Sequence, residues 1–121
     1  MKSGFRITHG KGFSIKFENG YTVSVQFGRY NYCDNYLLNY PDEMQAKLLE
    51  IDEYGNIECA NAEVAVIDCD GNLMRLFGGE GFEVAAYYTP EQVLALLVRV
   101  GSWKNRGEAR DDTQDEGSGN K

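Results

Sequence analysis

Apolar and polar residues alternate most cleanly near the start of the chain. Phe13, Ile15 and Phe17 fall on one side of Phe13-Ser-Ile-Lys-Phe17, as in a half-buried strand. Glu18-Asn19-Gly20 follows, and Asn-Gly is a strong hairpin signal because both central positions of a type I′ turn need positive φ. Tyr21, Val23, Val25 and Phe27 then resume the alternation. Over 28–57 the pattern is lost. Met44, Lys47 and Leu48 behind Pro41 have the spacing of a short helix over Asp42–Glu50, but propensity alone does not decide between helix and loop. Tyr54-Gly55-Asn56 reads as a turn.

Regular structure resumes at Ile57–Ile67. Further strands are expected at Leu73–Phe77, after an Asp70-Gly71 turn, and at Phe82–Tyr88, after Gly78-Gly-Glu-Gly81. The last element is a helix. Thr89 supplies its N-cap, Pro90 its first position and Gln92 the partner of a capping box; Val93, Leu94, Leu96, Leu97 and Val100 form its apolar face, and Gly101 stops it. The expected fold is α+β: an antiparallel sheet of about five strands covered by one C-terminal amphipathic helix. A single domain over 1–103 suits this length, and the polar run 104–121 is expected to be a disordered tail.

Charge divides the chain into unlike parts. Asp34, Asp42, Glu43, Glu50, Asp52, Glu53, Glu58 and Glu63 face only Lys47 within 34–63, a balance of −7 that equals the net charge of the whole chain. Residues 1–33 carry Lys2, Arg6, Lys11, Lys16 and Arg29 against Glu18. Such segregation concerns partners and association rates rather than fold, and it points to a basic partner surface. The acidic balance argues against direct nucleic-acid binding, which draws most of its affinity from phosphate neutralisation. No apolar run reaches membrane-span length and the opening residues lack a secretory apolar stretch, so no membrane association and a cytoplasmic location are expected.

The candidate chemistry is sparse. His9, Cys33, Cys59 and Cys69 are the residues of a conceivable Cys₃His zinc site, but none of the cysteines forms the close pair such sites use. Small buried thiols explain them as well. Asp68-Cys-Asp-Gly-Asn72 opens like a calcium loop, yet its twelfth position is Gly79, which offers no side chain, and a hairpin turn accounts for it. Thr8-His-Gly-Lys-Gly12 lacks P-loop spacing. One histidine and three separated cysteines give no complete catalytic set. A non-enzymatic protein without cofactor is therefore expected.

The richest segment is Arg29-Tyr-Asn-Tyr-Cys-Asp-Asn-Tyr36. Tyrosine offers large contact area at small entropic cost, and Asn and Asp keep such a loop polar. The expected partner-binding residues are Tyr30, Tyr32, Asp34, Tyr36, Tyr40, Asp42, Glu43, Asp52 and Glu53; the competing reading is that some of these rings cap the core. A second possibility is a nucleic-acid accessory protein that sets Lys11, Lys16 and Arg29 beside Phe13, Phe17 and Tyr30.

At Ile7-Thr-His-Gly-Lys-Gly-Phe13, Phe17-Glu-Asn-Gly20, Thr22-Val-Ser-Val-Gln-Phe-Gly28 and Asn31-Tyr-Cys-Asp34 the chain resembles a family of small proteins of bacteriophages, prophages and mobile elements. Ala62-Glu-Val-Ala-Val66 and Tyr88-Thr-Pro-Glu-Gln-Val93 extend the resemblance over most of 7–100. It brings no catalytic residues. It implies a phage-type accessory protein in a bacterial cytoplasm, and one version is an anti-defence inhibitor (anti-CRISPR or anti-restriction) whose carboxylates compete with nucleic-acid phosphates for a host protein.

Overall fold

The computed structural model describes residues 2–9 and 11–104, so the expected disordered tail lies, from residue 105, outside the described residues. Five strands, β1 (Gly4–Ile7), β2 (Gly12–Lys16), β3 (Thr22–Gln26), β4 (Ala62–Ile67) and β5 (Val84–Tyr88), form one antiparallel sheet in chain order. Two helices accompany it, α1 (Asp42–Tyr54) between β3 and β4 and α2 (Pro90–Gly101) after β5. The fold is α+β, with α2 laid across β3 and β5.

Register shows why the sheet has one apolar side. Phe5 lies opposite Ile15, Ile15 opposite Val23, and Val23 opposite Val66; Ile7, Phe13, Val25 and Val64 make a second such row. Alternation puts both rows on one face. Val23, Val25, Val64 and Val66 are buried there with Tyr21, Ala62 and Phe77 beneath Leu96 and Val100 of α2. Because α2 crosses β3 and β5, the outermost row ends Phe5 and Ile7 stay 79% exposed.

The capping box of α2 is complete: Thr89 Oγ1 accepts from the Gln92 amide at 3.2 Å and Gln92 Oε1 from the Thr89 amide at 2.9 Å. The β2–β3 hairpin differs from the type I′ expectation. Gly20 alone has positive φ (97°), and its amide donates to Phe17 O, which is a three-residue loop ending in a bulge. The reason is the work given to Asn19. Its Nδ2 donates to Val100 O (2.9 Å) and Trp103 O (2.8 Å), and its Oδ1 accepts from the Tyr21 amide (3.0 Å). One buried amide thus ties the hairpin tip to the last turn of α2.

Two further differences are informative. The expected strand Leu73–Phe77 does not form: Leu73 bridges Ile67 and Phe77 bridges Phe82 singly. β5 already occupies that edge of β4, so the segment folds Met74, Leu76 and Phe77 against the core instead. The fifth strand is β1, four residues not expected to be extended. Helix α1 runs to Tyr54, beyond Glu50, and buries none of its residues.

Candidate functional site

The connection from β3 to β4 holds every residue expected to bind a partner. Its first part, 28–40, is held by side chains that stand in for missing ladder bonds. Asn31 Oδ1 accepts from the Gly28 amide (2.9 Å) while Asn31 Nδ2 donates to Glu63 on β4 (3.1 Å). Asn35, buried, donates from Nδ2 to Phe27 O and to Glu58 O, both at 2.8 Å. The Asp34 amide donates to Asn61 Oδ1 (2.8 Å), and the Leu37 amide to Arg29 O (2.7 Å), opening a single 3₁₀ turn at Leu37–Asn39. Cys33 is buried below the loop and donates its thiol to Gly28 O at 3.6 Å.

Arg29 joins this loop to α1. Its Nε and Nη2 donate to the two carboxylate oxygens of Asp52, the second at 3.2 Å, while Nη1 reaches Asn35 O at 3.4 Å. The guanidinium lies 5.6 Å from the ring centre of Tyr40. The Arg29 and Asp52 side chains are only 12% and 14% exposed. The hydrogen bond to Asp52 and its charge hold the Arg29 guanidinium above its ordinary pKa, against the opposing effect of burial. Planar two-point pairing is the geometry Arg provides and Lys does not.

The tyrosines divide. Tyr30 and Tyr32 are 60% and 50% exposed; Tyr30 lies under the Lys11 ammonium, 4.9 Å from its ring centre. Tyr32 and Tyr36 meet edge to face at 5.3 Å. Tyr40 is directed inward over Arg29, with its hydroxyl donating to Asp34 O at 3.3 Å. None of these four rings packs on the core cluster: Tyr40 is held over Arg29, while Tyr30 and Tyr32 stand exposed.

The carboxylates divide as well. Asp52 is turned inward to Arg29. Asp42, Glu43, Glu50 and Glu53 are exposed, and at 100° per residue they share one side of α1, opposite Leu48 and Asp52. Glu43, Glu50 and Glu53 make no ion pair among the described residues. Asp34 is exposed in the loop, and Glu63 sits on β4, outside this surface.

An unexpected element braces the loop from the far side. β5 carries one extra residue between its pairings of Tyr88 with Ala62 and Ala85 with Val64. Tyr87, at φ 57°, sits in that bulge, and its amide donates to Tyr32 O at 3.0 Å. A non-glycine residue at positive φ is uncommon, and bulges re-aim a strand's groups. Here the bulge supplies a donor to the loop's backbone under an exposed tyrosine. Alternation in Phe82–Tyr88 gave no sign of it.

The zinc set does not assemble: Cys69 lies at the β2–β3 turn with its thiol 3.5 Å from Asn19 O, apart from Cys33 and Cys59, and no group of three metal-binding side chains occurs among the described residues. In the calcium-like segment, Asp68 Oδ1 accepts from the Asp70 and Asn72 amides, closing a turn. Of the basic-aromatic set only Lys11 and Tyr30 meet. Phe13 and Phe17 pack toward the core, Lys16 points to the opposite face of β2, and Arg29 is committed to Asp52. No helix among the described residues is long and apolar enough to cross a membrane. No family model, curated protein or solved structure matches the chain.

Proposed function

We propose that the protein is a non-enzymatic binding module that grips a basic surface of a host protein with the tyrosine loop and the acidic side of α1. The observation that carries this reading is a loop braced by asparagine side chains while Tyr30 and Tyr32 remain at least half exposed. A loop ordered before binding loses little entropy on docking, and exposed tyrosines add contact area at low rotamer cost. Glu43, Glu50 and Glu53, on the side of α1 away from Asp52, make no ion pair among the described residues and supply a longer-range field that steers a cationic partner. With the phage-type resemblance, the concrete form is an accessory protein of a phage or mobile element in the bacterial cytoplasm. Its carboxylates there take the place of nucleic-acid phosphates on a defence protein.

The test is affinity capture from bacterial host lysate on immobilised full-length protein. Three forms are compared: wild type, Tyr30→Ala with Tyr32→Ala, and Glu43→Gln with Glu50→Gln and Glu53→Gln. Hot-spot aromatics cost about 2 kcal/mol each when truncated, so the tyrosine variant is expected to lose roughly 30-fold in affinity where one ring is an anchor and roughly 1000-fold where both are. The glutamine variant is expected to associate more slowly and to lose the salt dependence of capture. A partner recovered equally by all three correctly folded forms overturns the reading.

A further inference from the structure

The paired ends of the tyrosine loop bring two thiols together. Asn61 Oδ1 accepts from the Asp34 amide at 2.8 Å and from the Cys59 thiol at 3.8 Å. Asn35 Nδ2 donates to Glu58 O at 2.8 Å. Residues 34–35 are therefore tied to 58 and 61, on either side of Cys59, and Cys33 is the next residue along. After burial, Cys59 is among the neighbours that raise the pKa of the Cys33 thiol, as a second thiol close by does. Cys33 is 0% exposed, Cys59 is half-buried, and both are free thiols.

We propose that Cys33 and Cys59 form a reversible dithiol–disulfide couple, oxidised by small organic disulfides, that locks the tyrosine loop to the segment entering β4. The order of events follows from access. Cys59, the member of this pair within reach of solvent, attacks the external disulfide as thiolate; one sulfur bonds to Cys59 and the other leaves as a thiolate that takes up a proton. Cys33 then attacks the Cys59 sulfur of the mixed disulfide. Its proton passes to the second departing thiolate, so that two protein thiols and one external disulfide become one protein disulfide and two small thiols. Burial holds the Cys33 thiol up to about 11, so this second step is the slow one at neutral pH and accelerates as pH rises. Cys69, under the hairpin at Gly20, takes no part.

This inference stands apart from any partner, because thiols are counted on the protein alone. Full-length protein is incubated with oxidised glutathione, and free thiols and peptide masses are followed. The expected result is loss of two of the three thiols, a peptide pair joined through Cys33 and Cys59 with a mass lower by two hydrogens, and full recovery with dithiothreitol. Cys33→Ala should stop at a glutathione adduct on Cys59. Cys59→Ser, at a half-buried position that tolerates change, should leave both remaining thiols free. A disulfide that includes Cys69, a lasting glutathione adduct on wild-type Cys59, or no thiol loss at all overturns the proposal.

Discussion

Replacing Asp52 by Asn tests how the loop and α1 are joined. The change keeps the shape of the side chain and removes its charge. Arg29 then loses its counter-charge and one of two carboxylate acceptors, and keeps one neutral amide oxygen, the Asn35 carbonyl and side-chain oxygens and the Tyr40 ring, in a site where the two side chains were 12% and 14% exposed. Breaking a fully buried ion pair costs about 3–5 kcal/mol, whereas exposed pairs contribute about 0–1 kcal/mol. The near-burial here and the two charge-assisted hydrogen bonds place the cost at roughly 2–3 kcal/mol. The cost should fall locally. α1 has no buried residue, so little besides Arg29 and the Gln45 bond to Tyr40 O (3.0 Å) holds it to the body.

The assay is native-state amide exchange. In Asp52→Asn, α1 amides are expected to exchange roughly 30- to 150-fold faster, while β3, β4 and α2 change little. The pH dependence follows from Arg29, whose pKa is raised in the fold. Its contribution is fully present below the unfolded value and is lost only as pH rises through the still higher folded one. The wild-type protection of α1 therefore stays flat on this account from neutral to moderately alkaline pH. Acceleration below about 2-fold, or equal acceleration in the core strands, would refute the reasoning, since the 2-fold figure corresponds to only about 0.4 kcal/mol.

Three other outcomes are expected. Asn19→Ala removes the donor shared by Val100 O and Trp103 O and the acceptor of the Tyr21 amide, and should lower global stability by about 2–4 kcal/mol in urea titration. Thr89→Ala breaks one half of the α2 capping box and should cost about 1 kcal/mol, read the same way, with Thr89→Ser restoring most of it. Burial raises the Cys33 thiol from its ordinary 9.0 to about 11, so the unfolded chain loses this proton first and stability falls as pH rises through that window. The fall is at most about 3 kcal/mol, and the difference between wild type and Cys33→Ala across that window isolates it from other titrations.

What could be read from residues alone followed from how local each signal is. The β2–β3 hairpin and α2 are announced by alternation, an Asn-Gly pair and a Thr-Pro-x-Gln cap within a few residues. β1 carries little signal because Gly4–Ile7 offers only Phe5 and Ile7 as a pattern, and both remain exposed. Leu73–Phe77 carries strand-like residues, but whether a strand forms depends on a free sheet edge, which β5 had taken. The limits of α1 were obscure because a helix without a buried face has no apolar periodicity to display.

The candidate surface was legible in composition and not in detail. Clustered tyrosines and carboxylates marked 29–54, yet nothing in the spacing told Asp52 from Glu53 or Tyr40 from Tyr32. That distinction depends on Arg29, which takes one carboxylate and one ring as its partners. The bulge at Tyr87 and the meeting of Cys33 with Cys59 are products of tertiary contact across more than twenty residues.

Docking through the tyrosine loop requires that the loop be rigid before any partner arrives. Amide exchange of 28–40 in the free protein tests this most directly, because the Cys33, Asp34, Tyr36 and Leu37 amides all have protein acceptors at 2.7 to 2.9 Å. We expect these four amides to exchange roughly 100-fold or more slowly than in an unstructured peptide. Exchange at the unstructured rate, with the core strands still protected, would contradict the account.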